Sequence, residues 1–146
     1  MSPERPNPSI RSDYKAFRSL QTRWLDNDIY GHMNNIVHYS LFDTAINGFL
    51  IESAGLDPLH GSEMFFVVQT GCRFYAEMGF PDIVTAGLRV AKLGSSSVRY
   101  EIGLFQNEKN QAAAEGFFVQ VNVDRSTRRP VKLSATTRGI LERLTI

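Results

Sequence analysis

An acid, an imidazole and two amides crowd into one short stretch, Asp28-Ile29-Tyr30-Gly31-His32-Met33-Asn34-Asn35. A long apolar-periodic run follows at once, so this stretch stands directly before a helix. The first turn of a helix has backbone N–H groups without intrahelical acceptors and carries partial positive charge. Such an end can hold an anion or stabilise a developing oxyanion. Asp28 lies seven residues before Asn35, far enough for the loop to fold back and bring its carboxylate near those donors. The same residue types have a plainer use, because Asp and Asn before a helix are common caps and a loop His is commonly structural. The residues alone leave both readings open.

Other chemistries lack their residues. Gly94-Ser95-Ser96-Ser97-Val98 has the wrong framing for a serine nucleophile elbow. His32, His38 and His60 do not have zinc spacing, and no glycine-rich nucleotide loop occurs. Cys72 is the single cysteine. It excludes an intramolecular disulfide and a Cys-rich metal site, and its Phe/Val-rich surroundings read as core. Lys plus Arg (16) nearly cancels Asp plus Glu (15), which argues against a nucleic-acid surface, since phosphate binding needs clustered positive charge. No run reaches the roughly 18–20 apolar residues of a membrane span. The chain therefore reads as cytoplasmic, with no cofactor, no metal, no nucleic-acid partner and no membrane span.

The elements that must carry the Asp28 stretch can be read from periodicity. Residues 1–13 hold three prolines and no apolar block, and are expected to form a flexible arm before a single domain over 14–146. Tyr14 to Trp24 is expected as the first strand, and Leu25 to His32 as a loop. Asn34 or Asn35 suits an N-cap for a helix from Ile36 to Ala54, ended by Gly55 and Pro58. Ile36, Tyr39, Phe42, Ala45, Ile46, Phe49 and Leu50 keep helical spacing, and Val37, Leu41 and Ile51 add apolar residues on other faces. A helix apolar nearly all round should be buried. Asp43, a charge inside it, is then functional or interfacial.

Downstream, strands are expected at Met64–Gln69, Cys72–Glu77, Ile83–Leu93, about Val98–Leu104 and Ala112–Val123, with a short helix near Thr137–Leu144. One buried helix followed by four or five long antiparallel strands is an α+β layout. A curved sheet wrapped around the helix would cover it. The exposed sheet edge and helix favour a dimer that extends the sheet.

The string Asp26-Asn27-Asp28-Ile29-Tyr30-Gly31-His32-Met33-Asn34-Asn35-Ile36-Val37-His38-Tyr39 resembles the signature of hotdog-fold acyl-CoA thioesterases of the 4-hydroxybenzoyl-CoA thioesterase type. The likeness continues through Phe74-Tyr75-Ala76-Glu77, Phe80-Pro81-Asp82, Arg89-Val90 and Leu93-Gly94-Ser95-Ser96. It implies a hotdog fold, a long central helix wrapped by a five- to six-stranded antiparallel sheet. It also implies self-association as a dimer or a dimer of dimers, with active sites at the interface and acyl-CoA as substrate.

By this resemblance Asp28 is the catalytic carboxylate, nucleophile or general base for water. The Asn35 backbone N–H polarises the thioester carbonyl, and His32 and Asn34 shape the loop. Gly94-Ser95-Ser96 falls where such enzymes contact the CoA arm, here without a charge. Val67 and Val68, with Phe65 and Phe66, become walls of the acyl pocket and of the core combined, and Asp43 either lines that pocket or lies at an interface. Arg128, beside Arg129, leads Lys92, Arg99 and Arg125 as a partner for CoA phosphates. The alternative reading is a non-catalytic acyl-CoA-binding hotdog module. The acid at position 28 weighs against it, and no helix-turn-helix is evident for a self-contained regulator. A hotdog dehydratase, which pairs His with an acid in another frame, and a purely structural protein fit less well.

Overall fold

Alternation of apolar and polar residues builds the sheet of this protein, seen here in a computed structural model that describes residues 6–146. In the strand Ser97–Gln106 (β4), Val98, Tyr100, Ile102 and Leu104 are buried toward one side. The same period places Val84, Ala86, Leu88 and Val90 of Ile83–Leu93 (β3) on that side, with Ala114, Phe118 and Gln120 of Ala114–Val123 (β5). Ala16–Gln21 (β1) and Met64–Phe74 (β2) complete a five-stranded sheet in the order β1-β3-β4-β5-β2. All four pairings are antiparallel.

The long helix α1, Asn35–Ala54, lies on that apolar side. It buries His38, Leu41, Phe42, Ala45, Ile46 and Leu50, a stripe at helical spacing. Phe42 approaches the sheet at Gly116, where any Cβ would fall on its ring. Asn34 caps the helix start, and Gly55 ends it in the left-handed conformation at φ +68°. The second helix α2, Ala135–Glu142, is capped by Ser134, whose hydroxyl accepts from the Thr137 N–H at 3.1 Å.

Several expectations are corrected. The helix is not buried all round: Ile36 is 70% and Ile51 45% exposed, because one sheet covers only one face. Met64–Gln69 and Cys72–Glu77 are not two strands but one, with a bulge between Val67 and Gln69. Gly71 does not break it, since the Phe117 ring on the neighbouring strand fills the space above it. The first strand is shorter than expected. It stops at Gln21, and a 3₁₀ turn at Trp24–Asp26 follows.

The arm expected over 1–13 lies partly outside the described residues, and its later part is fastened rather than free. Ile10 bridges to Gln111, and the Arg11 guanidinium donates to the carbonyls of Lys109 (3.0 Å) and Asn107 (2.7 Å). Tyr14 then lays its ring across the paired glycines Gly87 and Gly103 on the outer face of the sheet. Among the described residues, no helix is long and apolar enough to cross a membrane.

Candidate active site

The loop before α1 is held on two sides by its own backbone and by the turn before β3. Asp26 is buried (1% exposed) and accepts from the Arg23 N–H and guanidinium at 2.8 Å each. Its carbonyl accepts from the Asn34 N–H at 2.9 Å, closing the loop at its base. The Met33 N–H donates to the Met78 carbonyl at 2.7 Å, and the Asn27 side chain accepts from the Phe80 N–H at 3.0 Å. Asp82 in turn ties that second turn together, accepting from the Gly79 N–H and from the Gln106 and Asn107 amides. Partial burial acts to raise its pKa, but these hydrogen bonds and Lys109 outweigh it and hold the carboxyl below its usual range.

At the tip, the Asp28 N–H donates to the His32 carbonyl (2.8 Å) and the Gly31 N–H to the Asp28 carbonyl (3.1 Å). The turn needs φ +84° at position 31, which glycine adopts without strain. The Tyr30 N–H donates to Asp28 Oδ1 at 2.8 Å, and Asp28 Oδ2 stands 3.7 Å from His32 Nδ1. His32 Nε2 lies 3.9 Å from Glu77. These contacts hold the Asp28 carboxylate in place and leave one of its oxygens turned to a lightly engaged, half-exposed imidazole.

The helix start has one donor to spare. The Asn34 side chain accepts from the Ile36 N–H at 3.2 Å, and its carbonyl from the Val37 N–H at 2.9 Å. Among the described residues, the Asn35 N–H has no acceptor. Asn35 lines a cavity of about 320 Å³ with Asp28, His32, Met33 and His38 on one side and residues 74–78 on the other. A carboxylate and an unengaged helix N–H in one cavity are the parts needed for nucleophilic or general-base attack on a carbonyl with oxyanion support.

His38 is a site residue that sequence reasoning passed over. It is 4% exposed, and its ring meets Phe74 edge to face at 4.8 Å. Burial lowers its pKa below 6.5, partly offset by the nearby Asn35 and Asn34 carbonyls. Even so, Nδ1 closes no hydrogen bond of normal geometry. The available signal was its spacing, three residues past Asn35 on one helix face.

Asp28, His32 and Asn35 are thus brought together, with Asn34 capping beside them. The other candidates stand apart within one chain. Asp43 is exposed on α1 and accepts from the Asn47 amide. Val67 and Val68 sit at the bulge of edge strand β2, 44% and 61% exposed. The Gly94-Ser95-Ser96 turn is at the far end of β3 from the Asp82 turn, and an 11-residue strand spans about 35 Å. Its carbonyls accept from Arg138, Leu133 and Asn122.

The basic candidates are mostly engaged. Arg125 donates to the Gly61 and Pro58 carbonyls, and Arg99 lies 4.1 Å over the Phe117 ring. Arg128, at φ +62°, is exposed near Phe66. A larger cavity of about 460 Å³ on the outer face of the sheet includes Arg99, but its Arg89 already pairs with Glu101 at 2.9 Å. Burial pushes the Cys72 thiol up to about 12, which leaves almost no thiolate at neutral pH and removes it as a nucleophile. Among the described residues, no group of three or more His, Cys, Asp or Glu could hold a metal ion.

Comparison with known proteins agrees with this architecture. The family model of the thioesterase-like superfamily matches residues 22–141. The crystal structure of the PA5185 protein of Pseudomonas aeruginosa strain PAO1 superposes with a TM-score of 0.93 at 46% identity, covering 96% of this chain and 97% of that one. The PA2801 protein of Pseudomonas aeruginosa superposes at 0.81 with 25% identity, over 86% and 97%. A 1,4-dihydroxy-2-naphthoyl-CoA thioesterase of Synechocystis shares the fold at 0.77 with 16% identity, over 86% and 93%. No curated protein matches at a significant level. One long helix in a five-stranded antiparallel sheet is the hotdog arrangement of these structures, and the chain belongs to the thioesterase-like superfamily.

Proposed function

We propose that this protein hydrolyses an acyl-CoA thioester to the free acid and CoA, with Asp28 as the catalytic carboxylate. The observation that carries the reading is the Asn35 N–H, unengaged at the helix start and sharing a cavity with Asp28. With the thioester carbonyl oxygen on that N–H, the Asp28 carboxylate attacks the acyl carbon, or takes a proton from water that attacks it. Charge builds on the carbonyl oxygen, where the helix N-terminus stabilises it. The intermediate then collapses and expels the CoA thiolate. In the first route a mixed anhydride forms on Asp28 and water hydrolyses it.

The active unit in this reading is a dimer. Strand β2 is a long sheet edge with Phe66, Val67, Val68 and Phe74 at least 37% exposed, and such an edge invites pairing. Its Phe74 end borders the Asp28 cavity. The opposite end, Met64, is linked to the Gly94-Ser95-Ser96 turn through Asn122, which accepts from the Met64 N–H and donates to the Ser96 carbonyl. Two β2 strands paired antiparallel about a two-fold axis set the Met64 end of one chain beside the Phe74 end of the other. The turn, Arg128, Val67 and Val68 of a second copy then face the cavity that they cannot reach in their own chain. Mass in solution distinguishes a dimer from a dimer of dimers.

The test is thiol release from a panel of acyl-CoAs by the wild type and Asp28→Ala. Turnover in the variant is expected to fall at least about a hundredfold. Unchanged turnover would remove Asp28 from the chemistry, and no release from any thioester would favour the binding-module reading. Solvent ¹⁸O found on Asp28 after a single turnover would establish the anhydride route, since only attack of water on the Asp28 carbon of an anhydride places it there.

A further inference from the structure

We propose that His38 determines specificity in the Asp28 cavity by hydrogen-bonding a hydroxyl or keto oxygen on the second or third carbon of the acyl group. The proposal rests on the thioesterase reading and names the acyl class within it.

His38 is 96% shielded from solvent, yet it lines the cavity with Asp28 and Asn35. A buried polar side chain is normally hydrogen-bonded, and here the ring meets the Asn35 and Asn34 carbonyls of its own helix while Nδ1 closes no bond of normal geometry with any described residue. Packing alone does not account for an imidazole at this position, because an apolar side chain would meet Phe74 equally well without an unpaired nitrogen. The surrounding wall is otherwise apolar at Met33, Phe74 and Met78. The Asn35 and Asn34 carbonyls leave the ring's hydrogen bonding incomplete, and a polar group in the cavity that His38 lines can complete it.

Spacing gives the position of that group on the substrate. His38 follows Asn35 by three residues, so the two share one helix face with about 4.5 Å of rise between them. When the thioester carbonyl oxygen sits on the Asn35 N–H, an atom two or three bonds beyond the carbonyl carbon comes level with the imidazole. Burial keeps the ring neutral. A neutral imidazole has one donor and one acceptor nitrogen, so it serves a hydroxyl or a keto oxygen but offers no charge to a carboxylate. An unsubstituted acyl chain strips solvent from the ring and returns no hydrogen bond, which is the strong form of discrimination available to a binding pocket.

The experiment measures kcat/KM by thiol release for matched pairs, 3-hydroxybutyryl-CoA with butyryl-CoA and 3-hydroxydecanoyl-CoA with decanoyl-CoA. Wild type is expected to prefer the oxygenated member at least tenfold in one pair. That ratio should fall to near one in His38→Phe and recover in part in His38→Gln, which keeps a donor and an acceptor. A wild type without preference overturns the proposal, as does a His38→Phe protein that keeps the wild-type ratio. If His38→Phe does not fold by circular dichroism, His38→Leu takes its place against His38→Gln. Failure of the thioesterase reading shows separately, as absence of hydrolysis by wild type on every thioester. In that event the same pairs are compared by Kd in calorimetry, and a ratio unaltered by His38→Gln and His38→Leu overturns the proposal.

Discussion

His38 shares a cavity with Asp28, and burial there governs how it answers to pH. The imidazole is held where its charged form is costly, so its pKa is lowered from 6.5 in the folded protein. Below about pH 6.5 the unfolded chain takes up a proton that the folded one refuses, so folding stability falls as pH drops from about 7 toward the lowered value. Above 6.5 both states are neutral at this residue and the effect vanishes. Each unit of separation between the two values is worth about 1.4 kcal/mol. Urea unfolding of wild type and His38→Phe between pH 5 and 8 should show a steeper acid-side loss of stability in the wild type. Parallel profiles would mean that His38 is solvated. Asp28 was legible from residue type and place before a helix. His38 was not, because a lone His in an apolar helix reads as core until a cavity is seen beside it.

At the scale of the element, the start of α1 is the part on which the site depends. Asn34 satisfies the Ile36 and Val37 N–H groups and donates its own N–H to Asp26, so among the described residues the Asn35 N–H is left without an acceptor. Asn34→Ala removes the side-chain cap and should cost about 1 kcal/mol of stability, while Asn34→Asp should retain most of it. Chemical denaturation reads both, and an Asn34→Ala protein as stable as wild type would show that the cap contributes nothing. The helix itself was readable from its spacing, its capping Asn and Gly55. Its exposed side was not, since Ile36 and Ile51 break the rule that apolar means covered. The merging of two expected segments into one β2 strand also escaped the sequence. Gly71 looks like a strand end until Phe117 is seen lying over it from β5.

For the whole molecule, the dimer reading predicts complementation between two crippled chains. Asp28→Ala removes the carboxylate from a chain's own cavity, and Val68→Arg places a charge on the β2 face offered to the other chain. If each cavity draws these two residues from different chains, a mixed dimer contains one intact site and one doubly damaged site. Refolding the two variants together in equal amounts should then recover about a quarter of wild-type turnover, since half the dimers are mixed and each carries one working site of two. No recovery, in a mixture shown by light scattering to be dimeric, would mean that each cavity is complete within one chain.

The sequence by itself determined the local matters: a capped helix, alternating strands, an α+β layout, and an acid placed seven residues before a helix start. These depend on neighbours along the chain, and periodicity and capping chemistry record them directly. Only the tertiary structure decided which residues share a cavity. Asp28, Asn35 and His38 meet residues 74–78 because the end of β2 is brought to the start of α1. Val67, Val68, Arg128 and the Gly94-Ser95-Ser96 turn stay outside that cavity because strand length separates the two ends of a sheet, and Asp43 because it stands exposed farther along α1, distances and facings that residue types do not record.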